Sequence, residues 1–168
     1  MSSAPRVVLV GAPASGKTRI AKKLGSLLGL SVVDSDRIIS RDHGPIPDIF
    51  LSMGEEGFRR LERTAVREAL MSSGIVALGG GAVIDPETRE ELKSHTVALI
   101  TISEEAVAHR LGGSKRPLLQ DGVESWKALV TEREPWYQEV SNRSFDTSHQ
   151  SIEKIAHDIV DWLEEELA

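Results

Sequence analysis

The chain has 168 residues, of which 40% are apolar and 27% are charged, proportions typical of one soluble globular domain. A formal charge of −6 argues against binding to nucleic acid or anionic lipid, because phosphate-rich partners attract a basic surface. The absence of cysteine excludes disulfides, thiolate nucleophiles and cysteine-based zinc sites. The apolar run from Val7 to Val10 is far shorter than the roughly 20 residues that cross a bilayer. We therefore expect a cytoplasmic protein, a single domain over residues 1–168, with no membrane partner.

Strands and helices alternate along the first half of the chain. A short β-branched segment ends at Gly11 and is followed from Lys17 by apolar residues at helical spacing. Proline and glycine residues break the region before Gly54 into two short helices, and a longer amphipathic helix begins at Glu55. The predicted elements are a strand at 6–11, a helix at 17–28, a strand at 31–34, two short helices within 36–54, a helix at 55–71 and a strand at 75–78.

The second half continues the same alternation. The predicted elements are a helix at 86–93, a strand at 97–102, a helix at 104–111, a helix at 125–140, a strand at 144–147 and a terminal helix from about 152 to 163. The glycine-bounded stretch 112–122 has no clear period, which indicates a mobile loop. This order predicts a three-layer α/β/α fold, in which helices cover both faces of a five-stranded parallel sheet.

The strongest functional signal is Gly11-Ala-Pro-Ala-Ser-Gly-Lys-Thr18, which matches the phosphate-binding pattern G-x-x-x-x-G-K-[ST] between a predicted strand and a predicted helix. Backbone N–H groups of such a loop bind phosphate oxygens, Lys17 supplies charge to the β- and γ-phosphates, and the Thr18 hydroxyl is a Mg²⁺ ligand. The pattern predicts nucleoside triphosphate binding but leaves the phosphoryl acceptor open. The residues expected to bind the nucleotide here are Ala14, Ser15, Gly16, Lys17, Thr18 and Arg19.

Five further motifs extend along nearly the whole chain. They are Asp34-Ser-Asp36, Phe58-Arg-Arg-Leu-Glu62, Leu78-Gly-Gly-Gly-Ala-Val83, Lys115-Arg-Pro-Leu-Leu119 and Arg133-Glu-Pro-Trp-Tyr137. Together with the phosphate-binding loop they resemble the shikimate kinase family, which is built like the nucleoside monophosphate kinases. The resemblance implies a monomer that uses ATP and Mg²⁺ to phosphorylate the 3-hydroxyl of shikimate. A related metabolite kinase, such as a gluconate kinase, is the alternative, because it would share the loop and the acid-binding arginines.

Asp34 and Asp36 follow the second predicted strand, where alternating positions on an extended segment would aim both carboxylates to one side. The resemblance assigns Asp34 to the Mg²⁺ shell, through water, and Asp36 to the hydroxyl that attacks. An isolated Asp-x-Asp is more often a helix-capping turn. The functional interpretation therefore depends on the pairing with the phosphate-binding loop.

Arg59 and Glu62 are three residues apart and share a helix face that is distinct from the apolar stripe. The resemblance makes Arg59 and Arg133 the ligands of the shikimate carboxylate, because a planar guanidinium matches a carboxylate with two parallel hydrogen bonds. Glu62 would hold Arg59 and would also bind the substrate by accepting from a hydroxyl. A solvated helix face is the alternative for Arg59 and Glu62 taken alone.

The triple glycine removes three side chains where a strand ends, which allows backbone N–H groups to approach a ligand. The resemblance places Gly79, Gly80 and Gly81 in the acceptor pocket, whereas a tight turn is the alternative for an isolated example. It also makes 36–62 the acceptor-binding segment and 112–124 a mobile lid.

The resemblance gives two further arginines roles toward the nucleotide. Arg116, on the expected lid, would join Lys17 and Asp36 as a catalytic residue by reaching the transferring phosphoryl group, and Arg110 would cover the adenine. Two departures concern this side of the site: Ala14 stands where the family commonly has glycine, which is tolerable if its φ is negative, and the segment after Thr147 lacks a proline often found there. A nucleotide-dependent switch is disfavoured, because the sequence has no N-K-x-D guanine-reading segment.

Overall fold

A five-stranded parallel sheet forms the centre of the protein in the computed structural model, which describes residues 4–111 and 122–167. The strands lie in the order β2-β3-β1-β4-β5, and each neighbouring pair is parallel. This arrangement confirms the predicted α/β class. Their bounds are β1 Val7–Gly11, β2 Val32–Asp34, β3 Ile75–Ala77, β4 Val97–Thr101 and β5 Arg143–Asp146.

Helices cover both faces of this sheet, as the alternation of elements predicted. Their bounds are α1 Lys17–Leu28, α2 Ser35–His43, α3 Ile46–Ala69, α4 Pro86–Leu92, α5 Glu104–Leu111, α6 Val123–Val140 and α7 Ile152–Leu167, and a 3₁₀ turn spans Ala82–Ile84. In the part of the chain that the structure describes, none of these helices is long and apolar enough to cross a membrane.

The two faces of the sheet hold separate apolar cores, because side chains alternate along each strand. On β1, Val8 and Val10 pack with residues of α2, α3 and α6, whereas Val7 and Leu9 pack against α1 and α7. All of these β1 side chains are buried. A sheet buried on both faces explains why its central strands are continuous apolar runs.

The strand order brings three distant loops together. Because β1 lies beside β3 and β3 beside β2, the loops that follow these three strands meet at one edge of the sheet. These loops carry the phosphate-binding pattern, the aspartate pair and the triple glycine. The topology thus assembles the motifs that the sequence separates.

Helix α3 is interrupted at Gly54, whose φ of 71° and ψ of 179° are not helical. This backbone region is accessible almost only to glycine. The interruption confirms the predicted boundary between a short helix before Gly54 and a longer helix from Glu55. The short arm carries Phe50, and the long arm carries Arg59 and Glu62.

Candidate active site

The loop between β1 and α1 is shaped by glycines and by close packing. Gly11 has a φ of 148°, and a Cβ there would overlap the carbonyl oxygen of Ile100, so only glycine fits. Gly16 precedes α1 with a φ of 97°. Ala14 has a φ of 69°, so the condition under which alanine would be tolerable here, a negative φ, is not met. An alanine in the left-handed conformation costs about 1–2 kcal/mol, which explains why glycine is common at this position in the family that the sequence resembles.

Donors from three other elements hold the carbonyl groups of this loop. Trp126 Nε1 on α6 donates to Pro13 O at 2.8 Å, and Arg110 Nη1 on α5 donates to Ala14 O at 2.9 Å. Thr147 Oγ1, just after β5, lies 2.9 Å from Ser15 O and 3.0 Å from Thr101 O, so its one proton is shared between these two carbonyl oxygens. These bonds fix the loop before any ligand arrives, which is the preorganisation that phosphate binding requires.

Ser15 itself faces the inside of the loop. Its side chain is fully buried, and its Oγ donates to Ala12 O at 2.7 Å. Its N–H donates to the same carbonyl oxygen at 3.3 Å. Ser15 is therefore absent from the cavity lining described below, and its hydroxyl stabilises the loop.

Lys17 and Thr18 stand at the first turn of α1. Lys17 Nζ donates to Gly11 O at 2.6 Å and to Ala12 O at 2.9 Å, so its ammonium lies over the mouth of the loop. Thr18 Oγ1 donates to Asp34 Oδ2 at 3.0 Å. A hydroxyl and a carboxylate this close form a hard oxygen donor set, the kind that Mg²⁺ takes together with water and phosphate oxygens.

The aspartate pair is arranged differently from the expectation of one extended segment. Asp34 ends β2 and caps α2, because its Oδ1 accepts the N–H of Asp36 at 2.9 Å. Asp36 lies in the first turn of α2. Both carboxylates nevertheless line the same cavity, so the capping turn and the shared site coexist.

Arg59 and Glu62 form a partly buried ion pair on α3, which contradicts the alternative of a solvated helix face. Arg59 Nη1 lies 2.8 Å from Glu62 Oε1, and the Glu62 side chain is only 5% exposed. Burial raises the pKa of Glu62, an effect that Arg59 opposes and Asp36 reinforces. The guanidinium is also packed 5.2 Å over the Phe58 ring. Arg59 is thus fixed in direction by two neighbours.

Arg133 reaches the cavity from α6 and is only 3% exposed. Its Nε, like that of Arg59, is buried and has no hydrogen-bond partner among the described residues. Tyr137 follows one turn later, and its hydroxyl donates to Gly80 O at 2.5 Å. Burial raises the pKa of Tyr137 to about 12, although the nearby Arg133 guanidinium acts in the opposite direction.

The triple glycine leaves room for side chains of the site. A Cβ at Gly81 would overlap the Arg59 guanidinium, and a Cβ at Gly79 would come within 2.6 Å of Asp36 Oδ1. The Gly79 N–H donates to Ser35 Oγ at 2.9 Å, so this amide is used inside the protein rather than offered to a ligand. Because Gly79 has no side chain, the Asp36 carboxylate can pack directly against its backbone.

One cavity of about 430 Å³ collects most of the predicted site residues, and its size suits small ligands. The predicted residues that line it are Ala14, Gly16, Lys17, Thr18, Arg19, Asp34, Asp36, Arg59, Glu62, Gly79, Gly80, Gly81, Arg110 and Arg133. Arg116 and nearly all of the expected lid lie outside the described residues. The cavity also has an apolar wall of Ile46, Phe50 and Phe58, which the motifs did not predict, and the rings of Phe50 and Phe58 stack with their centroids 4.7 Å apart. The position of Phe58 directly before Arg59 is the sequence signal that could have placed this ring at the site.

Comparison with known proteins decides the family. The family model described as shikimate kinase matches residues 13–164. The chain belongs to the shikimate kinase family. Shikimate kinase from Mycobacterium ulcerans is 41% identical over 167 residues, which cover 96% of this chain and 91% of the relative. Shikimate kinase from Thermobifida fusca is 42% identical over 160 residues and 93% of each chain.

Solved structures agree with this family assignment. A shikimate kinase from Acinetobacter baumannii, determined in complex with shikimate, matches with a TM-score of 0.91 and 32% identity over 97% of this chain and 94% of that chain. A gluconokinase from Sinorhizobium meliloti matches with a TM-score of 0.68 and 18% identity over 98% of this chain and 94% of that chain. The gluconokinase therefore shares the fold alone.

Proposed function

We propose that this protein transfers the γ-phosphoryl group of ATP to the 3-hydroxyl of shikimate. The observation that carries the proposal is one cavity that joins a phosphate-binding loop to two arginines, Arg59 and Arg133. The loop suits the anionic tail of a nucleotide, and the arginines suit an organic acid. An acid held at one end of the cavity would present its hydroxyl groups toward the other end.

The nucleotide half of the cavity is built around α1. Its N-terminus and the preceding loop offer N–H groups to phosphate, and Lys17 adds a positive charge that can move from the loop carbonyls to the phosphates. We assign Arg19 to the same half because it also lines the cavity, and Arg110 to the adenine side. Thr18 and Asp34 would hold Mg²⁺, which neutralises phosphate charge when bound.

The acceptor half combines charge, backbone and an apolar wall. Arg59 and Arg133 would bind the carboxylate of shikimate, and Glu62 keeps Arg59 in place. The stacked rings of Phe50 and Phe58 cover the same half of the cavity and suit the carbon ring of the substrate.

Asp36 is the group proposed to act on the reacting hydroxyl. It lies at the start of α2 on the cavity wall and is packed against Gly79. In this position it can orient the hydroxyl and accept its proton as the oxygen bonds to the γ-phosphorus and the bond to the β-phosphate oxygen breaks. Lys17 stabilises the charge that develops, so most of the rate comes from placement and electrostatics.

We further propose a monomeric, cytoplasmic enzyme, in which residues 112–124 form a lid that brings Arg116 to the phosphoryl group.

An acceptor panel tests the proposed reaction. ADP release by the purified protein should rise strongly with shikimate, and should stay near the background rate with gluconate or with water as the acceptor. Phosphorus NMR of the product should show shikimate 3-phosphate. Equal rates with and without shikimate, or a preference for gluconate, would refute the assignment.

A further inference from the structure

Tyr137 is the single tyrosine of the chain and lies on α6, next to the proposed acceptor site. Its side chain is only 2% exposed. It follows Arg133 by four residues, so the phenol and the guanidinium share one face of the helix. The mechanism above uses Arg133 and leaves Tyr137 without a role.

The phenol bonds directly to the triple glycine. The Tyr137 hydroxyl donates to Gly80 O at 2.5 Å. On its other side Gly80 packs against the Pro13 ring, since a Cβ there would come within 2.9 Å of Pro13 Cδ. Gly80 is therefore held between the phosphate-binding loop and α6, and Tyr137 supplies the polar part of that contact.

The phenolic oxygen also faces Arg133. A hydroxyl has one proton and two lone pairs, so an oxygen that donates to Gly80 can still accept from a neighbouring guanidinium. Arg133 interacts with the phenol, and burial keeps the phenol neutral well above neutral pH. The hydroxyl thus bonds to the glycine segment that lines the cavity and lies close enough to Arg133 to interact with it electrostatically.

We infer that Tyr137 is a positioning residue, which sets Arg133 relative to Gly79–Gly81 and so fixes the geometry of the acceptor subsite. The inference deepens the proposed function and rests on it. Without the hydroxyl, Gly80 O would lose its donor and Arg133 would lose a polar neighbour. The consequence should fall on the acid substrate rather than on the nucleotide.

Replacement of Tyr137 by phenylalanine tests this role, because it keeps the ring and removes only the hydroxyl. The KM for shikimate should rise roughly tenfold, the effect of one lost buried hydrogen bond, and the KM for ATP should stay within about twofold. Thr88→Val is the matched control, since Thr88 Oγ1 is buried on α4 without a hydrogen-bond partner among the described residues. Equal changes in both KM values for Tyr137→Phe would indicate a purely structural role and overturn the inference.

A second measurement on the wild-type protein does not depend on the folding of a variant. Tyrosine labelled with ¹³C at Cζ should give one resonance, because the chain has one tyrosine. Shikimate should shift this resonance in proportion to its occupancy, whereas ADP alone should not. If shikimate binds and is phosphorylated but leaves the resonance unchanged, this inference fails while the proposed function stands. If shikimate is not phosphorylated at all, the proposed function fails instead.

Discussion

Glu62 shows how a single buried carboxylate can organise a binding site. It is buried and bonds to Arg59, which lines the cavity. A carboxylate in this position costs free energy through burial, and only a paired cation offsets that cost. Glu62 therefore stabilises one orientation of Arg59, but its burial lowers the free energy of unfolding.

The pKa of Glu62 predicts how this cost in the free energy of unfolding changes with pH. Burial raises it above the ordinary value of 4.5, so the folded state binds this proton more tightly than the unfolded chain. The contribution of Glu62 to the free energy of unfolding is then full below about pH 4.5 and is lost as the pH rises through the folded pKa. Relative to Glu62→Gln, the wild type should lose stability as the pH rises above about 4.5, as measured by urea unfolding.

Glu56→Gln is the control for this pH series, because Glu56 is 91% exposed on the same helix. It should leave the shape of the stability curve unchanged. A stability difference between wild type and Glu62→Gln that stays constant with pH would contradict the raised pKa.

At the scale of elements, the phosphate-binding loop is held by contacts from distant parts of the chain. Thr147 Oγ1, just beyond β5, bonds to Ser15 O, and Trp126 on α6 bonds to Pro13 O. Trp126 is itself buried, with 4% exposure. The loop conformation therefore depends on β5 and α6 as well as on its own sequence.

Thr147→Val tests this anchoring, because valine keeps the volume and removes the hydroxyl. Ser15 O would then be left without that donor, and the KM for ATP should rise about tenfold while the KM for shikimate changes little. Steady-state kinetics with each substrate varied in turn measures the difference. Thr88→Val is again the control, and an unchanged KM for ATP in Thr147→Val would show that the loop holds its shape without this bond.

The sequence predicted local elements well and contacts between elements poorly. Helical spacing and the glycine at position 54 located both arms of α3, because those signals lie within one segment. The donors Trp126, Thr147 and Tyr137 could not be derived, since each bonds to a residue at least 57 positions away. The conformation of Ala14 was open for the same reason: the donor to its carbonyl, Arg110, lies 96 residues away.

At the scale of the whole molecule, the order of the strands decides where the site forms. Neighbouring strands β2, β3 and β1 end together, which places Asp34, Gly79 and the phosphate-binding loop around one cavity. The chain carries a net charge of −6, yet the cavity includes several arginines and one lysine. Among the described residues, the lining sets these five cations against three carboxylates, those of Asp34, Asp36 and Glu62. An acidic protein thus presents a local basic pocket, which suits small anions.

The central claim is that fixed arginines in this cavity bind the carboxylate of shikimate. Arg59 and Arg60 are adjacent on α3, but Arg59 is 18% exposed and lines the cavity, whereas Arg60 is 66% exposed. Lysine at either position keeps the charge, and at position 59 it keeps a cation beside Glu62, while the two parallel hydrogen bonds to a carboxylate are lost. This pair of variants therefore separates the effect of the two parallel hydrogen bonds from the effect of the positive charge.

Isothermal titration of shikimate into the wild type, Arg59→Lys and Arg60→Lys makes the most direct test. The Kd should rise roughly tenfold or more in Arg59→Lys and stay within about twofold in Arg60→Lys. Equal affinity in all three proteins would contradict the account.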